Sequence, residues 1–159
     1  MPNTGKIKMV YKPLAFLDSR SQTKESQDAV NAAKCAQEQG KFWEFHDAIF
    51  SLKYSDLLKE MAGKLQTTEN IGDLNRDTFK KIASDNGLNA DQFLSCYDSG
   101  KHKNDYLTYM KEGSAAMPQG IGTPAVFING QQVQLSSNSQ GQFDYSSLST
   151  IIDTVLKTK

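Results

Sequence analysis

Several shortages constrain the reading of this 159-residue sequence. It holds two cysteines, Cys35 and Cys96. These are too few for a disulfide scaffold and too widely separated for a zinc ribbon, whose ligands come in pairs about two to four residues apart. It has no surplus charge, with 18 Lys+Arg against 18 Asp+Glu. Phosphate binding depends on a concentrated cationic field, so neither nucleic acid nor an anionic membrane is expected as the main partner. No apolar run approaches the ~20 residues that cross a bilayer, so the chain as given has no membrane span. A secretory signal is also missing, because Pro2, Gly5, Lys6, Lys8, Lys12 and Pro13 interrupt the stretch that would have to be apolar. The expectation is that the protein stays inside the cell or that its true start lies upstream of Met1.

What is present is enough for one modest core: 8 Phe, 6 Tyr and 1 Trp in a length that suits one domain. Residues 6–12 carry β-branched and aromatic side chains between Gly5 and Pro13 and read as a strand. From 26 to 39, Ala29, Ala32, Ala33 and Ala36 recur at helical spacing before Gly40. In 41–50 and just beyond, Phe42, Phe45, Ile49 and Leu52 fall on one helical face, which is expected in the core. Residues 56–65 are weakly helical and 66–73 read as a polar loop. Three short helices follow, over 76–85, 90–98 and 104–112, ending near Gly87, Gly100 and Gly113.

The character then changes. Residues 125–128 form a compact apolar strand leading into Asn129-Gly130, the strongest two-residue hairpin signal, with 131–135 as the returning strand. After a polar loop, Asp144 is a natural N-cap for a last helix carrying Leu148, Ile151, Ile152, Val155 and Leu156 in register. Strand, block of helices, hairpin and helix, in that order, predict an α/β domain rather than a bundle.

The sharpest local signal is Gly122-Thr123-Pro124-Ala125-Val126-Phe127-Ile128-Asn129-Gly130. A proline opening directly into an apolar strand has no amide to give a ladder, which fits a fixed turn or a cis bond. This segment resembles the cis-proline loop of thioredoxin-fold proteins. The rest of the chain is similar to the DsbA group of thiol-disulfide oxidoreductases. The likeness is carried by residues 32–47, running Ala-Ala-Lys-Cys-Ala-Gln-Glu-Gln-Gly-Lys-Phe-Trp-Glu-Phe-His-Asp, by Phe93-Leu94-Ser95-Cys96-Tyr97-Asp98, and by the Pro-Leu ending of the first strand.

The resemblance implies a thioredoxin-like fold with a helical insertion over 21–117, within a single partial domain spanning 1–159. Members of the family carry a Cys-X-X-Cys pair at a helix N-terminus, where a depressed thiolate pKa and a resolving thiol make exchange possible. Cys35 and Cys96 are 61 positions apart and cannot be that pair. The middle strand of the sheet is missing as well, so the chain is expected to be truncated at its N-terminus, inactive alone, and without a catalytic residue of its own.

By the same resemblance, Thr123 and Pro124 bind extended polypeptide substrates, a redox partner protein is possible, no cofactor is needed, and the setting is extracytoplasmic, in the bacterial cell envelope or secreted. Cysteines at the positions of Cys35 and Cys96 can pair to staple the insertion. The alternative is two buried reduced thiols, and a Cys–His hydrolase built with His46 or His102 is the remote one. His46 reads as a packed or capping residue, His102 as a solvated loop residue, and neither points to a metal. A redox-inactive peptide-binding or chaperone-like module is the second functional reading, and an all-helical interaction protein the third.

Overall fold

The structure, a computed structural model, describes residues 5–20, 23–64, 67, 71–137 and 143–157. Its chain forms two compact units, one made of Lys12–Ala116 and the other of Met1–Tyr11 with Met117–Lys159.

The unit Lys12–Ala116 is helical. After a 3-10 turn at Phe16–Arg20 come α1 (Glu25–Glu38), α2 (Phe42–Met61), α3 (Arg76–Asp85), α4 (Ala90–Ser99) and α5 (Asp105–Ala116). The start of α1 is capped from a distance: the buried Asp18 carboxylate accepts from the amides of Ser26 at 3.0 Å and Gln27 at 2.9 Å. This satisfies donors that the helix itself leaves unpaired and sets a negative charge at its positive end. Asn75 and Asn89 cap α3 and α4 with their own side chains, and Gly100 closes α4 in the left-handed conformation.

The alanine face of α1 lets the other helices approach closely. Ala32, Ala33 and Ala36 pack with Phe45 and Ile49 of α2, Phe79 and Ile82 of α3, and Phe93 of α4. Phe45 is at the centre of this core, with ring centroids 5.4 Å from Phe93 and 6.2 Å from Phe79.

Two helices differ from their sequence-based bounds by more than one residue. Residues 42–50 and 56–61 belong to one 20-residue helix, α2, because no glycine or proline falls between Phe42 and Met61 to interrupt it; the weakly helical stretch expected at 56–65 thus ends at Met61. Helix α5 runs through Gly113 to Ala116. Its stop is set by Pro118, which disfavours the helical conformation at Met117, and not by the glycine. Most of the loop at 66–73 lies outside the described residues.

The other unit holds a hairpin and a helix. Strands β1 (Val126–Ile128) and β2 (Gln131–Val133) pair antiparallel, Val126 opposite Val133, Phe127 opposite Gln132 and Ile128 opposite Gln131. Asn129 and Gly130 take φ of 52° and 83°, the positive values that a two-residue loop needs to match strand twist. The final helix, α6 (Tyr145–Lys157), is capped by Asp144, whose carboxylate accepts from the Ser146 amide at 2.9 Å. Its apolar residues Leu148, Ile151, Ile152, Val155 and Leu156 are half-buried.

The strand expected at 6–12 does not form. Among the described residues the one sheet is the β1–β2 pair, and residues 7–12 belong to no regular element. Strand-favouring side chains make a strand only where a neighbour supplies the ladder, and no described segment does so here.

Candidate functional site

Two places carry chemistry, one in each unit. In the hairpin unit, the chain turns after Met117, where the Gly120 amide donates to the Met117 carbonyl at 3.0 Å, and passes through Gly122 to a cis peptide bond between Thr123 and Pro124. Both residues are exposed. A Cβ built on Gly122 would meet nothing within 4 Å, so the approach to this loop is open at that residue. β1 follows two residues later, and Phe127 leaves 39% of its surface exposed.

In the helical unit, Cys35 of α1 and Cys96 of α4 are joined by a disulfide with Cα atoms 5.8 Å apart. Cys35 is buried in the core and Cys96 half-buried beside it. Two further residues of α1 face this junction. Asn31, one turn before Cys35, donates to the Tyr97 carbonyl at 3.0 Å and accepts from the His102 amide at 3.2 Å. Glu38, one turn after Cys35, accepts from Lys101 Nζ at 2.7 Å and lies 2.6 Å from His102 Nε2.

The His102 ring is thus held on both sides, its Nδ1 lying 3.1 Å from the Asp105 carboxylate. The Lys101 and His102 hydrogen bonds hold the Glu38 carboxyl below its ordinary range. Tyr97 closes the same junction from the core side. Burial first, then the charges of Asp28 and Asp98, push its hydroxyl up to about 12.

A family model described as thioredoxin matches residues 3–154. The chain belongs to the thioredoxin family. No curated protein and no solved structure matches it.

In this thioredoxin-family chain, Thr123 and Pro124 lie in one unit and Cys35 and Cys96 in the other. Both cysteines are committed to the bridge, so neither is a thiol able to attack a disulfide in this state. His46 stacks within α2, its ring 6.0 Å from Phe42 and 4.6 Å from Phe50, and its Nδ1 is 2.9 Å from Asp47.

His102 differs from its sequence-based reading as a solvated loop residue, since its side chain is only 15% exposed and sits between two carboxylates. Asp105 three positions on was the one local hint; Glu38 is 64 positions away, a contact no spacing rule reveals. No helix among the described residues is long and apolar enough to cross a membrane.

Proposed function

We propose that this chain is the C-terminal portion of a DsbA-like thiol-disulfide oxidoreductase that acts on disulfides of extracytoplasmic polypeptides. In this reading residues 1–159 form one partial domain and 21–117 its helical insertion. The Cys-X-X-Cys pair is contributed by sequence outside these residues, and its two thiols act as nucleophile and resolver. Thr123 and Pro124 present backbone groups to an extended substrate segment, a contact that lends affinity while reading little sequence. The Cys35–Cys96 bridge staples α1 to α4 and takes no part in turnover.

The observation that carries the reading is the Gly-Thr-Pro turn opening straight into the β1–β2 hairpin, with Thr123 and Pro124 exposed. A second support is the sheet itself. Among the described residues β1 has β2 as its one partner, and alternation in an antiparallel ladder turns the Phe127 amide and carbonyl away from β2. That edge is where the strand preceding a Cys-X-X-Cys helix would pair.

The bridged state of both cysteines favours one further reading, a redox-inactive module that binds extended polypeptides through the same loop. Two measurements separate the readings. In an insulin-reduction assay with dithiothreitol, the 159-residue chain is expected to give no rate above background; multiple turnover would overturn both. The coding sequence upstream then decides between them, an in-frame Cys-X-X-Cys supporting the oxidoreductase and its absence leaving the binding module.

A further inference from the structure

The junction of α1, α4 and the turn before α5 holds more than a covalent staple. One ligand-capable atom from each of Cys35, Cys96 and His102 lies within 4.8 Å of the others. No short sequence pattern betrays the set, because its members stand at positions 35, 96 and 102. We propose that reduction of the Cys35–Cys96 bridge converts this junction into a binding site for a divalent thiophilic cation of the zinc class, with Cys35, Cys96 and His102 as ligands.

The chemistry of the donor set supports this. Thiolate and imidazole are the preferred partners of zinc. Tetrahedral zinc, with bonds of ~2.3 Å to sulfur and ~2.0 Å to nitrogen, holds its ligand atoms roughly 3.5–3.8 Å apart. Two sulfurs freed from their bond relax to about that separation by van der Waals contact alone. The imidazole nitrogen then needs to approach the sulfurs by no more than about an ångström from the 4.8 Å limit that bounds the set.

His102 is prepared for the role in a way a merely packed histidine is not. Each ring nitrogen faces a carboxylate, Nε2 that of Glu38 at 2.6 Å and Nδ1 that of Asp105 at 3.1 Å. Whichever nitrogen turns to the metal, the other keeps a carboxylate that fixes its tautomer and orientation, the arrangement that accompanies most metal-bound histidines. The carboxylate released is at hand for the fourth position. An entry path exists as well, since Cys96 is half-buried and the His102 side chain reaches the surface.

The steps balance. A dithiol reductant attacks the bridge, two electrons and two protons pass to the Cys35 and Cys96 sulfurs, and the dithiol leaves as its own disulfide. The cation then displaces the two thiol protons to solvent and is held by two thiolates and one neutral imidazole.

The test uses the full chain and cobalt(II) as a spectroscopic stand-in for zinc. The protein is reduced with a water-soluble phosphine, which takes its oxygen from water and leaves as the phosphine oxide, then freed of reductant under argon and titrated. The expected result is one cobalt per reduced chain, with thiolate-to-cobalt charge-transfer bands and the visible absorption of a tetrahedral ion, reversed by zinc, and none of this in the oxidised chain. His102→Gln, whose bridge and far-ultraviolet dichroism serve as the folding control, should weaken cobalt binding by at least ~10-fold. His46→Gln should leave the titration unchanged.

If reduction loosens the helices, zinc should restore the dichroism. A reduced chain without these bands, an unfolded reduced chain that zinc does not refold, or equal effects of the two histidine variants would each overturn the proposal.

Discussion

Asn31 and Cys35 stand one turn apart on α1 and both fasten the same end of α4. Asn31 does so through hydrogen bonds to the Tyr97 carbonyl and the His102 amide, Cys35 through its bond to Cys96. Asn31 is 4% exposed, so the groups it serves have little water to turn to. Asn31→Ala leaves the His102 amide unsatisfied and strips the Tyr97 carbonyl of one of its two donors, the Gly100 amide remaining at 3.0 Å, a loss of about 1–3 kcal/mol. For a chain of this size that lowers the melting temperature by roughly 2–4 °C per kcal/mol. Asn31→Asp discriminates further: its carboxylate still accepts from His102 but cannot donate to Tyr97, so its melting temperature should also fall. Calorimetry showing Asn31→Asp equal to wild type would mean the Tyr97 hydrogen bond contributes nothing.

The covalent fastener acts on the unfolded chain. Its cysteines are 61 positions apart, and in the chain-entropy model closing a loop of that length stabilises the fold by about 4 kcal/mol. A Cys35→Ala, Cys96→Ala double variant should therefore unfold at clearly lower urea. Its m-value should be larger, because an open chain exposes more surface when unfolded. Equal midpoints for the bridged and the double-variant chains would contradict this.

How much of this was legible in the sequence depends on where each feature's cause lies. Gly100 and Gly130 announced the end of α4 and the hairpin turn because positive φ is a local demand on one residue. Phe45 and Ile49 reached the core because helical spacing put them on one face. The strand at 6–12 failed for the opposite reason, since its formation depends on a partner and not on its own side chains. The two-sided clasp on His102 was equally hidden, being made by Glu38 across 64 positions.

A pH dependence follows from Glu25, at the start of α1. Its side chain is buried and its Oε1 accepts from the Leu74 amide at 3.4 Å. Burial, then the Asp73 charge, raise its carboxyl above the ordinary 4.5, with Lys53 and two backbone amides offsetting part of the rise. A raised carboxyl means that the fold disfavours the ionised form. The penalty is fully present above the raised value and is relieved as pH falls through it toward 4.5. Glu25→Gln keeps an acceptor for Leu74 and carries no charge, so it should be more stable than wild type near neutral pH. That advantage should shrink as pH falls to about the unfolded value. Urea midpoints measured across this window check it; an advantage that grows on acidification would show the sign to be wrong.

The hairpin offers a test of local backbone conformation. Gly130 has φ of 83°, and a Cβ there meets nothing within 4 Å, so any penalty for a side chain comes from the backbone and not from a clash. Gly130→Val places a β-branched residue in the left-handed region, which costs ~1–2 kcal/mol for an L residue and more where branching crowds the chain further. Gly130→Asn should be tolerated, because asparagine visits this region readily. With Ile128 and Gln131 flanking a two-residue loop as a hydrogen-bonded pair, alternation makes Val126 and Val133 the next such pair. Their amides should exchange faster in Gly130→Val and at about the wild-type rate in Gly130→Asn. Because β1 begins two residues after Pro124, a loosened hairpin should also weaken any polypeptide contact made at Thr123, whereas the helical unit, with its own core around Phe45, should keep its exchange protection. Uniform loss of protection across both units would instead mean that the two unfold as one, and would remove the hairpin as a separately adjustable part of the chain.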